Sequence, residues 1–455
     1  MKQRNSGSNS GSNSGSNDVA GVALPKAMWG KGSYVHDITG KAYIDGSGGP
    51  AVYCIGHGNE EVNAAIMAQL ELLAHGYRYN FTTDALEELS EIITGHCGPN
   101  FREMVFVSGG SEATESSLKL ALEYHAARGE MKRRRFISRE RSWHGNTLGA
   151  LSVSGFMDRR RAFEGALIEG SRISPVNEYR LPPGVALENL AQHAAAELEA
   201  EILRLGAENV AAFIFEPVVG AAMACVPAPP GYAKAVRAVC DRHGVLMIAD
   251  EVMCGSGRTG YWRALSEDGV EPDIMAIAKG LAAGYLPLGA AIYHRKVEEV
   301  IHAAHGGPIT GHTFTGHTAC CAAGVAVQKI IKREKLVERV REKTPLLTSL
   351  MAQSVSNNPY IGNIRGRGYF QGYEIVENVE TKKPFDASRQ LAQRIRSRAF
   401  DMGLICYPVA GIVDGVHGDG VMLAPPYNAT DAELEEITGK AGEAIASVLS
   451  EDGLL

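Results

Sequence analysis

No stretch of this 455-residue chain stays apolar long enough to cross a bilayer, and its first residues lack the apolar centre of a secretory leader. Neither a membrane protein nor an exported one is expected, so the expected location is cytoplasmic. The eight cysteines, Cys54, Cys97, Cys225, Cys240, Cys254, Cys320, Cys321 and Cys406, show no metal-ligand spacing. Most stand in apolar surroundings, as reduced, buried thiols do. None of the 14 histidines pairs with a glutamate at helical spacing, and no metal site is expected. The net charge is −7, and the one basic run, Lys132-Arg133-Arg134-Arg135, lies isolated between a helix-like and a strand-like segment. It reads as a solvated connection, which argues against a nucleic-acid partner. No repeat of solenoid period occurs.

What the chain does have is apolar mass: 45% of its residues are hydrophobic, ample for a large core. Residues 1–17 repeat Asn-Ser-Gly-Ser three times and are expected to form a disordered tail. From there the order of strand-like and helix-like runs predicts an α/β fold, a large domain with a mostly parallel sheet flanked by helices. The C-terminal third mixes helical periods over 322–331, 336–356 and 387–402 with an extended run over 368–375, which suits a smaller α+β domain.

Asp250 closes the apolar run Val245–Ala249, and Lys279 closes a second one, Ile274–Ala278. Side by side in a parallel sheet, the two would meet at the edge where open α/β sheets bind ligands. Pyridoxal phosphate chemistry needs such a pair, a lysine amine to form a Schiff base and a carboxylate to keep the pyridine nitrogen protonated. A lysine before a glycine is also an ordinary solvated strand end, and the pair alone does not choose. Met104–Val107 reads as a further strand, Ser108–Glu112 as a glycine turn, and Ala113–Ala127 as a helix. Gly110 and Ser111 would then offer a phosphate the free amides of a helix start, although a plain capped helix reads the same way. The third glycine of a dinucleotide fingerprint is missing. Phe136–Ser138 leads to Trp143-His144-Gly145, whose indole could cover a flat ring for about 0.5 to 1.5 kcal/mol beyond area burial, or could simply be core. Phe213–Phe215 ends in Glu216-Pro217, a fifth strand end, stopped by the proline.

Seven ordered segments carry a family resemblance: 108–113, Trp143-His-Gly145, Glu216-Pro-Val218, Asp250-Glu-Val252 with Gly257-Arg-Thr-Gly260, Ala278-Lys-Gly280, Thr313-Phe-Thr-Gly316 and Pro425-Pro-Tyr427. From about Trp29 onward the chain resembles a class III aminotransferase of the pyridoxal phosphate fold type I group. The resemblance implies that Lys279 binds the cofactor covalently, Asp250 pairs with its ring nitrogen, Val252 and Trp143 cover its two faces, and Gly110 and Ser111 hold its phosphate. It implies a homodimer or a dimer of dimers, in which Thr313 reaches the phosphate of the partner subunit. It divides the chain into an N-terminal segment of the small domain (18–60), a large cofactor-binding domain (61–325) and a C-terminal small domain (326–455). The implied partners are a small-molecule amine donor and a 2-oxo acid acceptor, such as pyruvate or 2-oxoglutarate, served in ping-pong order.

The chain also departs from that family. Many members carry an arginine shortly before the double proline for a substrate carboxylate; here residues 411–425 contain none, and His417 stands where relatives often place it. Imidazole gives one hydrogen bond and titrates near neutrality, where a guanidinium gives two and stays charged. Arg78 is a second candidate cation, with a surface ion pair as its plainer reading. Ala51, where some amine transaminases carry a bulky aromatic, suggests a roomier pocket, and Glu216 is left without an arginine to gate. The expected activity is therefore transfer from a primary amine or an ω-amino acid. A decarboxylase, aminomutase or racemase on the same site is the alternative, and a non-enzymatic binding module is a more distant one.

Overall fold

The computed structural model describes residues 24–455, so the tail expected over 1–17 and the start of the 18–60 segment lie outside the described residues. The described chain opens with three antiparallel strands, β1 (Ala27–Lys31), β2 (Tyr34–Asp37) and β3 (Ala42–Asp45). Helices 60–72 and 84–97 follow, and then the strands of the central sheet begin: β4 (Phe101–Val107), β5 (Arg135–Arg139), β6 (Ser171–Ile173) and β7 (Val210–Phe215). After a two-residue pair, β8 (Val218–Val219) and β9 (Val226–Pro227), the sheet is completed by β10 (Leu246–Asp250), β11 (Ile274–Ile277) and β12 (Gly289–His294).

Its order is β4-β12-β11-β10-β7-β5-β6. Every pairing among β6, β5, β7, β10 and β11 is parallel; β12 runs against both of its neighbours, which sets β4 parallel to the rest. Both faces are covered, and side chains alternate between them with the period of two that a strand imposes. Phe213, Phe215, Met247 and Ala249 pack under helices 190–205 and 232–243, through Leu198, Ile202, Val236 and Cys240. Ala212, Ile214, Leu246 and Ile248 point the other way, toward Leu118 and Ala121 of helix 110–127 and Val297 and Ile301 of helix 295–305.

The C-terminal part adds an antiparallel sheet of β13 (Ile361–Arg367), β14 (Phe370–Ile375), β16 (Tyr407–Ala410) and β17 (Asp419–Leu423), in the order β13-β14-β17-β16. Helices 336–354 and 391–401 pack on it, and helix 431–451 packs on those two helices, with Leu347, Ile395, Ile437 and Ile445 in one core. The short β15 (Leu404–Ile405) pairs in parallel with β3, so the first described strands and the last third share one sheet. Two backbone bonds extend that seam: Ala424 N–H donates to Gly46 O at 2.7 Å, and Tyr427 N–H to Cys54 O at 2.7 Å. Segment 46–54 is thereby tied to the exit of β17. Among the described residues no helix is long and apolar enough to cross a membrane.

Candidate active site

The parallel strands end together, and their ends carry the residues singled out by sequence. Asp250 is in register with Ala276 on β11, so Lys279 stands three residues beyond that partner on the neighbouring strand. Ala278 is fully extended, and Lys279 itself adopts a left-handed backbone with φ +47°. A side chain other than glycine held there costs free energy, and such positions persist where the surroundings fix them for use. Lys279 keeps part of its surface exposed, yet its amine is desolvated and has one weak protein partner, the carbonyl of Pro50 at 3.5 Å. Burial lowers its pKa from 10.5 to about 8, against the opposing pull of Asp250.

Asp250 is 4% exposed and held from two sides. Its Oδ2 accepts from His144 Nδ1 at 2.7 Å, and its Oδ1 accepts from the N–H of Val252 at 3.0 Å. His144 Nε2 is buried with no hydrogen-bond partner. Glu216, at the end of β7, is buried too and accepts from the N–H groups of Trp143 (2.9 Å) and Gly220 (3.0 Å). Burial and the charge of Asp250 raise its pKa, with His144 opposing. Its observed contacts thus fix the loop that carries Trp143. Glu251 points elsewhere, accepting from the N–H groups of Ala264 (2.5 Å) and Leu265 (3.1 Å), and burial lifts its pKa to about 7.

Helix 110–127 begins at Gly110 after an extended Gly109, and the carboxylate of Glu112 accepts from Ser108 N–H at 2.8 Å, closing the turn. A Cβ on Gly110 would stand 2.7 Å from Val252 Cγ1, so the missing side chain admits Val252 against the helix start. Ser111 Oγ accepts from Asn146 N–H at 3.0 Å, and a Cβ on Gly145, at φ +137°, would come within 2.7 Å of that oxygen. The glycine turn, Val252 and the Trp143 loop therefore touch one another, and Asp250 is joined to that loop through His144.

The remaining candidates sit apart. Arg78 shares a pocket with Arg102, Glu103 and Tyr293, at the opposite end of β4 from Ser108, and lies over the ring of Tyr79 at 5.6 Å. Thr313 is exposed, its carbonyl 3.2 Å from His75 Nε2, on a surface where Tyr77, Tyr79, Phe81 and Phe314 are also exposed. His417 is exposed and bound to Asp414 at 2.8 Å; that carboxylate raises its pKa. Ala51 is buried, in one apolar cluster with Val218, Met253, Phe370 and Met422, and its neighbour Pro50 turns its carbonyl toward Lys279. Sequence reasoning missed the bond of His144 to Asp250, whose only signal was its place between Trp143 and Gly145. It also missed the buried Arg141.

The class-III aminotransferase family model matches residues 20–445. The chain belongs to the class-III aminotransferases. This aminotransferase is 38% identical to the aminotransferase YodT of Bacillus subtilis over 94% of its own length and 96% of the relative's. It is 39% identical to an aminotransferase of Gibberella zeae over 90% and 81% of the two chains. Among solved structures it superposes on the ω-transaminase of Pseudomonas jessenii in complex with PMP, with a TM-score of 0.88, 30% identity and coverage of 95% and 94%. A transaminase from the marine bacterium Virgibacillus gives a TM-score of 0.89 at 30% identity, covering 95% and 94%. The fold is pyridoxal phosphate fold type I, and the cofactor of this enzyme is pyridoxal 5′-phosphate.

Proposed function

We propose that this enzyme moves an amino group from a primary amine or an ω-amino acid to a 2-oxo acid such as pyruvate or 2-oxoglutarate, in ping-pong order, with Lys279 as the reacting amine. The observation that carries this reading is a desolvated lysine amine and a twice-anchored aspartate at the ends of adjacent parallel strands. The residues present fit the cofactor: a helix start with free amides, an orphaned buried His144 Nε2, and a lysine amine with one weak partner. Gly110 and Ser111 would hold the phosphate at that helix start, Val252 and Trp143 would bracket the ring, and Asp250 would pair with its nitrogen. When bound, the cofactor supplies an aldehyde that condenses with amines and a cationic ring that accepts the electron pair left by C–H cleavage.

The chain's own work is then proton handling and orientation. With a pKa near 8, a useful fraction of Lys279 is neutral at neutral pH and able to take a proton from the substrate carbon and return it. Asp250 stays fixed because two donors hold its two oxygens, and an ionised carboxylate at that point keeps a facing ring nitrogen protonated. Glu216 keeps the Trp143 backbone in place. The same reading makes the protein a cytoplasmic homodimer or dimer of dimers, Thr313 completing the partner's phosphate site, which the exposed aromatic surface around Thr313 supports. It divides the chain at 60 and 325 into a large domain and a small one, supported by the pairing of β3 with β15.

A panel of amines offered with pyruvate and with 2-oxoglutarate tests the activity. Oxo product that forms only when an acceptor is present supports transfer; product without an acceptor would point to a decarboxylase or an isomerising enzyme instead.

A further inference from the structure

A 2-oxo acid brings a carboxylate into the site, while Arg78 lines a pocket at the start of β4 and the exposed His417 is already paired with Asp414. Three arginines, Arg139, Arg141 and Arg258, are buried with no ion pair among the described residues. Arg139 lies over the rings of Phe215 and Tyr232 and donates to Glu216 O at 2.6 Å, as a strut behind the strand end. Arg258 donates to Pro425 O and Tyr369 O under the ring of Tyr427, and so ties the exit of β17 to the sheet.

Each of the three keeps a buried guanidinium nitrogen without a partner, Nε of Arg139, Nε and Nη2 of Arg258 and Nη2 of Arg141, and what sets Arg141 apart is its place. It lies on the loop that carries Trp143, two residues before it, and is 4% exposed, with a left-handed backbone at φ +56°. Its N–H donates to Gly155 O at 3.1 Å. A Cβ on Gly155 would come within 2.3 Å of Arg139 O, so the loop is pressed into this shape from behind. The guanidinium lies over Phe156 at 5.5 Å, and Phe156 meets Trp143 edge to face at 6.1 Å. Its Nη1 donates to Gly411 O at 2.7 Å, and a Cβ on Gly415 would stand 2.9 Å from the same nitrogen. Its Nη2 is buried with no partner. A cation taken out of water with half of its donor fork unsatisfied is costly, and a carboxylate accepting two parallel bonds would relieve that cost. The guanidinium thus reaches, from a different element, the 411–418 loop that contains no arginine.

We propose that Arg141 is the specificity-determining residue that binds the carboxylate of the 2-oxo acid acceptor. This rests on the transfer reading above. The test uses the holoenzyme and its Arg141→Gln and Arg141→Lys variants, each checked for cofactor content and thermal unfolding. Calorimetry with oxamate, an unreactive isostere of pyruvate, reads carboxylate binding without turnover. The two half-reactions are timed separately, with 1-phenylethylamine as a carboxylate-free donor and pyruvate as acceptor.

In Arg141→Gln the affinity for oxamate and pyruvate is expected to fall about tenfold to a hundredfold, the loss typical of a charge-assisted pair, while that for the amine changes less than about threefold. Arg141→Lys recovers part of the loss and remains informative where the glutamine variant does not fold. Equal losses for amine and pyruvate, or wild-type oxamate binding in both variants, would overturn the assignment. A wild type that transfers to no 2-oxo acid yet binds oxamate through Arg141 would remove the proposed function and leave the carboxylate site standing. Turnover with pyruvate that ignores Arg141 would do the reverse, and a wild type that does neither overturns both.

Discussion

The strand ends of the candidate site and the 411–418 loop are built differently. On the cofactor side, each group is fixed by neighbours at the ends of parallel strands: Asp250 by His144 and Val252, Trp143 by Glu216, Ser111 by Asn146. In the 411–418 loop, the groups pair among themselves: His417 with Asp414, Gly415 N–H with Gly411 O. In the proposed function the strand ends hold one invariant ligand, with donors placed before that ligand arrives. The 411–418 loop is joined to the Trp143 loop through Arg141, and loops on rigid scaffolds are where variation in binding residues falls.

The sharpest way to upset this contrast is at Lys279. Lys279→Ala should lower turnover by more than the roughly 10²- to 10⁴-fold ascribed to a positioned acid–base group, since the covalent attachment is lost as well. The fold should stay intact, because the remaining cofactor contacts are noncovalent. Borohydride reduction of the wild type followed by peptide mapping checks the assignment; label on any other lysine contradicts it. Asp250→Asn comes next. A neutral amide cannot keep a facing ring nitrogen protonated, so turnover should fall roughly a hundredfold or more while most cofactor binding survives. Wild-type rates in that variant would remove its role.

How far the sequence reached follows the same divide. Strand ends carry their function in short local words, such as Asp250-Glu251-Val252, and a strand's register brings distant words together once the parallel sheet is assumed. The helix expected over 113–127 starts at Gly110, because the glycine turn itself joins the first turn of helix. Helix 387–402 shortens to Leu391–Asp401 behind a 3-10 turn at Ala387–Arg389. Strand β13, Ile361–Arg367, was not legible, since Ile-Gly-Asn-Ile-Arg-Gly-Arg has no apolar alternation. Arg141 was invisible for a physical reason. Nothing local says that a loop arginine will be buried; its contact with Gly411 spans 270 residues and exists only after β16 and β17 have folded beside the Trp143 loop.

A third, smaller effect concerns pH. The ammonium of Lys279 is disfavoured by burial, so its neutral form, the nucleophile, grows as pH rises through about 8. The rate at which apo-protein captures pyridoxal phosphate should rise roughly tenfold from pH 7 to pH 9 and then level off. The sign follows from the direction of the shift, since an unperturbed lysine would still be gaining at pH 10. Stopped-flow absorbance across that range checks it; a midpoint near 10.5 would show that the amine is solvated.

The smallest effect is expected at His417. Its exposed imidazole is bound to Asp414, whose negative charge raises its pKa and, at the same time, cancels much of the positive charge it could offer a carboxylate. An exposed pair of this kind is worth little, and solvent screens what remains. His417→Ala should therefore change the KM for pyruvate by less than about twofold, within the range of surface substitutions. Steady-state kinetics from pH 6 to pH 9 decides the matter. If the variant lost acceptor affinity selectively below the histidine's pKa, the acceptor's cation would be His417, and the loop would be as directly involved in binding as the strand ends.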